Sequence, residues 1–147
     1  MSAETIKCVL LANRHDGLTE GIRQLLKCEF PAVVMVADET SLLEAAVRIK
    51  PSLVLADLGL GQGESFGWLR RLRVRCPDLP VIVLSVHDEL CVLTAAFEAG
   101  ASGFLIKRNI ATDLKDALST VLAGKSYPGV QSQPGEAGKP QSLVRNR

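Results

Sequence analysis

Residues 53–63 read LVLADLGLGQG. Four apolar residues run into Asp57, and Gly59, Gly61 and Gly63 follow at once. A carboxylate at the exit of a buried strand makes sense where the strand belongs to a parallel sheet and its end faces a site. Three other apolar runs end in a polar residue, at Asn13-Arg14, Ser85 and Lys107. Four strand ends of this kind can converge on one crevice.

Outward from Asp57 the same pattern repeats. IKCVLLA (6–12), AVVMVA (32–37), SLVLA (52–56), VIVL (81–84) and GFLI (103–106) read as strands buried on both sides. They are too short for independent amphipathic helices. Apolar residues at helical spacing lie between them: Leu18, Ile22, Leu25 and Leu26; Leu42, Leu43, Ala46 and Val47; Phe66, Leu69 and Leu72; Leu90, Leu93 and Phe97. The longest stripe is Ile110, Leu114, Ala117, Leu118, Val121 and Leu122. Asn109 is placed to cap that last helix, and Gly100 to end the fourth. Five strands alternating with five helices predict a three-layer, doubly wound, five-stranded parallel sheet. Its site forms outside the carboxyl ends of the strands, where Asn13, Arg14, Asp57, Ser85 and Lys107 all fall.

At 147 residues and 47% hydrophobic composition, the chain fits one soluble domain with a real core. A net charge of +1 gives no polyanion signal, and four phenylalanines, one tryptophan and one tyrosine offer no base-stacking platform. Arg70, Arg71, Arg73 and Arg75 read as a solvated helix face. Direct contact with nucleic acid is therefore not expected of this chain. Cys8, Cys28, Cys76 and Cys91 lack CxxC spacing and read as buried or half-buried fillers. His15 and His87 lie far apart with no thiolate cluster, which argues against zinc. No run approaches a membrane span and no leader is visible, so a cytoplasmic protein is expected. The composition changes after Gly124. Residues 1–124 read as the folded unit and 125–147 as a flexible tail or linker rich in Pro and Gly.

Four stretches, VLLANRHDGLTEGIRQLL, LVLADLGLGQGESFGWLRRLR, VIVLSVHDE and EAGASGFLIKRN, occur in this order. They resemble the receiver domain of bacterial response regulators, in particular the NarL/FixJ-type branch, over roughly residues 5–124. The resemblance implies a (βα)5, flavodoxin-like fold and a role in two-component phosphorelay signalling. It implies that Asp57 accepts a phosphoryl group from a sensor histidine kinase or other signalling partner. Ser85 would bond to a phosphoryl oxygen, Lys107 would pair with the same group, and Phe104 falls at the switch aromatic position. Magnesium would be held by Asp57 and the Gly59 carbonyl. A homodimer through the last two helices and fifth strand, or through the first helix, is also implied.

The departures lie at the acid pair, which is replaced by Asn13 and Arg14. A guanidinium cannot coordinate a cation, so magnesium binding is expected to be weak or absent. In the metal-free protein Arg14 is expected to pair with Asp57. Asn13 and Arg14 also withhold the second carboxylate that an Asp57-dependent hydrolase would need, which argues against an enzyme. The alternative to phosphoacceptance is a pseudo-receiver that binds partners by shape alone. The bland reading of Asp57 is a buried carboxylate paired with Lys107.

Overall fold

The computed structural model describes residues 8–13, 16–58, 66–86 and 89–128, without the side chains of 16–19. The elements alternate strictly. β1 (Cys8–Ala12), α1 (Asp16–Lys27), β2 (Ala32–Val36), α2 (Glu39–Ile49) and β3 (Leu53–Asp57) form the first half. α3 (Gly67–Arg75), β4 (Val81–Ser85), α4 (Leu90–Glu98), β5 (Gly103–Ile106) and α5 (Ile110–Leu122) form the second. All strands are parallel, in the order β2-β1-β3-β4-β5. The winding direction reverses between β1 and β3, which puts the switch point beside Asp57.

The period of two along each strand sorts the core into two layers. Leu10, Ala12, Val54, Ala56, Val81, Val83, Phe104 and Ile106 pack with Leu42, Leu43, Leu69, Leu72 and Ala96 of α2, α3 and α4. Val9, Leu11, Leu53, Leu55, Ile82, Leu84 and Leu105 pack with Ile22, Leu26, Leu114, Ala117, Leu118 and Val121 of α1 and α5. Trp68 is fully buried in the first layer, in the cluster that holds the small residues Ala12 and Ala56.

Several local expectations are corrected. β2 is an edge strand and only half-buried, with Met35 44% exposed, because one of its sides has no neighbouring strand. Leu25 sits at the margin of the α1 stripe, exposed. In α4 the expected stripe holds in part: Leu93 and Phe97 are half-buried against the core, but Leu90 is 71% exposed, and the fully buried position is Ala96. Small Ala96, Ala99 and Ala101 let the end of α4 approach the sheet closely. Asn109 makes no side-chain cap; Lys107–Asn109 instead form one turn of 3-10 helix leading into α5. Gly100 does end α4, with φ of 116°. Its missing Cβ matters further, since that atom would stand 2.6 Å from Arg73 Cγ.

Arg73 departs from the solvated face expected of the α3 arginines. Its half-buried guanidinium donates to the carbonyls of Gly100, Cys76, Pro77 and Leu79 and to Ser102 Oγ. It thereby ties the end of α3 to the α3–β4 and α4–β5 turns. Arg71 pairs with Glu39 across α2 and α3. Cys8 is a buried filler and Cys76 half-buried, but Cys28 and Cys91 are exposed. Residues 125–128, assigned to the tail by composition, are held to β5 through Tyr127. Residues 129–147 lie outside the described residues.

Candidate functional site

The strand registers assemble the site. Ala12 pairs with Ala56, so the next residues, Asn13 and Asp57, are neighbours at the sheet's carboxyl edge. Asn13 N donates to Val36 O at 3.1 Å, which extends the β1–β2 ladder by one residue. Asp57 pairs with Leu84 and Ser85 with Ile106, so Ser85 and Lys107 each stand one step beyond a paired residue. By strand alternation Asn13 and Asp57 continue the α1/α5 face, while Ser85 continues the face covered by α2, α3 and α4.

Asn13, Asp57 and Ser85 are the buried polar residues at this edge, at 6%, 5% and 1% exposure. Lys107 Nζ donates to Asp57 Oδ2 at 2.8 Å, with both side chains at or below 10% exposed. Burial costs two charges much of their hydration, so a pair in this setting survives by close, hydrogen-bonded geometry. The bland reading of Asp57 is therefore realised, and it occurs within the set of strand ends on which the functional reading rests. Phe104 is fully buried under the α2–α4 face, two residues before Ile106.

Arg14, Gly59, His15 and the Asp16 side chain lie outside the described residues, and so does the expected Arg14–Asp57 pair. Among the described residues no group of three or more His, Cys, Asp or Glu side chains could hold a metal ion. No helix of the described residues is long and apolar enough to cross a membrane.

The response regulator receiver domain family matches residues 9–119. The transcriptional regulatory protein DegU of Brevibacillus brevis is 30% identical over 121 residues, covering 81% of this chain and 51% of that protein. The transcriptional regulatory protein RcsB of Escherichia coli is 26% identical over 125 residues, covering 81% of this chain and 57% of that protein. A two-component response regulator of the LuxR family from Aurantimonas sp. SI85-9A1 superposes with a TM-score of 0.77 at 24% identity, over 90% of this chain and 94% of that one. Fold and strand-end chemistry define a phospho-accepting signalling domain, and the chain belongs to the response regulator receiver domain family. Such domains are regulatory phosphoacceptors of two-component systems rather than catalysts, they work with a histidine kinase, and they typically coordinate magnesium at an aspartate cluster.

The finer assignment is corrected. The similar structure is a LuxR-family regulator and RcsB is among the relatives, so the chain resembles the LuxR/RcsB type rather than an atypical, specifically NarL/FixJ-type receiver. The chain spans about half the length of the curated relatives it matches.

Sequence reading placed Asp57, Ser85 and Lys107 at strand ends because each ends an apolar run. It did not find Arg73 or Tyr127. Arg73 sits among three other arginines, and only the turn carbonyls around it set it apart. Tyr127 had one signal, a lone aromatic residue shortly after the long apolar stripe of α5.

Proposed function

We propose that Asp57 is the phosphoacceptor, with Lys107 and Ser85 as the groups that receive the transferred phosphoryl. The observation that carries this is the buried Asp57–Lys107 pair, 2.8 Å apart at the sheet's switch point. A carboxylate oxygen of Asp57 attacks phosphorus and forms a P–O bond. The P–N bond of a donor phosphohistidine breaks, and the departing imidazole nitrogen takes up a proton. Charge repulsion is the main obstacle, since a carboxylate approaches a group that already carries negative oxygens. The Lys107 ammonium reduces that repulsion and then shifts from the carboxylate to a phosphoryl oxygen. The Ser85 hydroxyl donates to a second oxygen.

The donor set does not fit a firmly held magnesium ion. Asn13, neutral, stands in register beside Asp57, and one oxygen of Asp57 already accepts from Lys107. Magnesium wants hard oxygen ligands in near-octahedral array, and binding at about a millimolar or weaker is expected. A histidine kinase in the cytoplasm is the partner this chemistry calls for. Self-association through the α4–β5–α5 face or through α1 belongs to the same reading, and Leu90, at the start of α4, is 71% exposed.

The test is the rate of labelling by acetyl phosphate, with and without magnesium. Lys107→Met should slow it by about 10²-fold, as loss of a charge-stabilising donor does. Ser85→Ala should have a smaller effect. Unchanged rates in Lys107→Met would remove Lys107 from the chemistry.

A further inference from the structure

β5 and β2 are the two edges of the sheet. An edge strand presents unpaired N–H and C=O groups, and proteins cover or blunt such edges. At β5 the covering comes from the chain itself. Past α5, Gly124 takes φ of 89°, and its N–H and that of Lys125 close the helix on Val121 O and Thr120 O. The chain then turns back along the sheet. Tyr127 pairs with Gly103 in parallel: Tyr127 N donates to Ser102 O at 3.1 Å, and Phe104 N donates to Tyr127 O at 2.8 Å. The Tyr127 ring packs against the α1/α5 layer, half-buried. Its phenol is pushed up by that burial and further by Asp113 and Asp116 of α5.

Gly103 is the residue that makes room. A Cβ there would stand 3.0 Å from Val121 Cγ2 of α5 and 3.1 Å from Ile82 Cγ1 of β4. The close fit of α5, β5 and the returning segment is thus specified by a glycine at the pairing position. Pro128 follows and has no N–H, so the segment offers no donor there to a further strand.

The four residues of β5 are all buried, and they carry the Tyr127 segment at one end and lead directly into Lys107 at the other. A short strand in a close-packed core moves as a unit rather than bending. We infer that Lys125–Pro128 is a docking strap whose hold on β5 is coupled to the Asp57–Lys107 pair. With Lys107 held on Asp57, β5 stays in the position that presents Ser102 O and Phe104 N to Tyr127. When Lys107 is drawn elsewhere, the strap loosens on β5. The inference rests on the Asp57–Lys107 pair being the site, but its test uses no phosphoryl donor, so it stands or falls apart from phosphoacceptance.

The experiment is amide hydrogen exchange by NMR on the full 147-residue chain, comparing wild type with Lys107→Met. Exchange at Phe104 and Tyr127 is read as a ratio to Leu10 and Val54, which report the sheet centre. Coupling gives at least a fivefold excess of exchange at Phe104 and Tyr127 over those controls. Binding couplings are reciprocal, so Tyr127→Pro, which removes the donor to Ser102 O, should shift the Lys107 Nζ resonance in the folded protein. Ratios within twofold of wild type, or all four amides accelerating together, would overturn the coupling. Should Lys107→Met not fold, Lys107→Arg keeps the charge, alters its reach, and is judged by the same ratio.

Discussion

Asp57 and Lys107 show how a residue's place in the fold can be read from its neighbours. Each follows an apolar run that could only be a buried strand, so the polar residue after it had to stand at a strand end. The sequence placed both at the same edge of the sheet, and the register brings them to 2.8 Å. The cysteines show the opposite. Their spacing says nothing about which side of an element they occupy, and two of the four proved exposed. Their reactivities should differ accordingly. Burial pushes the Cys8 thiol up from its ordinary range, away from the reactive thiolate. A thiol reagent at mildly alkaline pH should modify Cys28 and Cys91 rapidly, and Cys8 only as the protein unfolds. Peptide mapping that found Cys8 labelled as fast as Cys28 would mean that β1 is accessible in the native state.

Among the elements, strands were legible and helix seating was not. Continuous apolar runs identified all five strands, but α4 buries Ala96 fully and Leu93 and Phe97 only in part, while Leu90 is exposed, and the periodicity of large residues does not report that. The role of Arg73 was hidden for a different reason, since its partners are backbone carbonyls of the turn just after α3 and of the distant α4–β5 turn. Replacing it with methionine should cost about 2 kcal/mol in urea unfolding, because several part-buried acceptors lose a charged donor at once. A loss below about 0.5 kcal/mol would show that water replaces the guanidinium freely. On α1 the Arg23 guanidinium, followed by the Gln24 amide, holds the Glu20 carboxyl down at about 2. A lowered carboxylate contributes stability above its unfolded value of about 4.3 and loses it as pH falls towards its folded value. The window for α1 is therefore between about pH 4 and about pH 2, and the effect is small because the pair is exposed. The Glu20 carboxyl carbon should titrate near the lower end by NMR; a midpoint near 4.3 would mean that the contact is not kept in solution.

For the molecule as a whole, the alternation of five strands and five helices was enough to give the doubly wound sheet and its crevice. Strand order was not readable, because apolar runs do not encode their neighbours. Composition turns polar after Gly124, yet backbone groups of Tyr127 still bond to β5. Ending the chain at Gly124 should therefore lower stability by about 2 kcal/mol, from two lost hydrogen bonds and the exposed ring. Ending it at Pro128 should leave the thermal midpoint nearly unchanged, since residues 129–147 carry only Leu143 and Val144 as consecutive large apolar side chains. Equal midpoints for the two truncations would show that Tyr127 adds nothing.

The most direct measurement is mass-spectrometric mapping of the protein after incubation with acetyl phosphate, with Asp57→Asn alongside. One phosphoryl group on the peptide containing Asp57, labile to hydroxylamine and missing in Asp57→Asn, is the expected result. Label on another residue, or no label in the folded protein at any magnesium concentration, would contradict phosphoacceptance by Asp57.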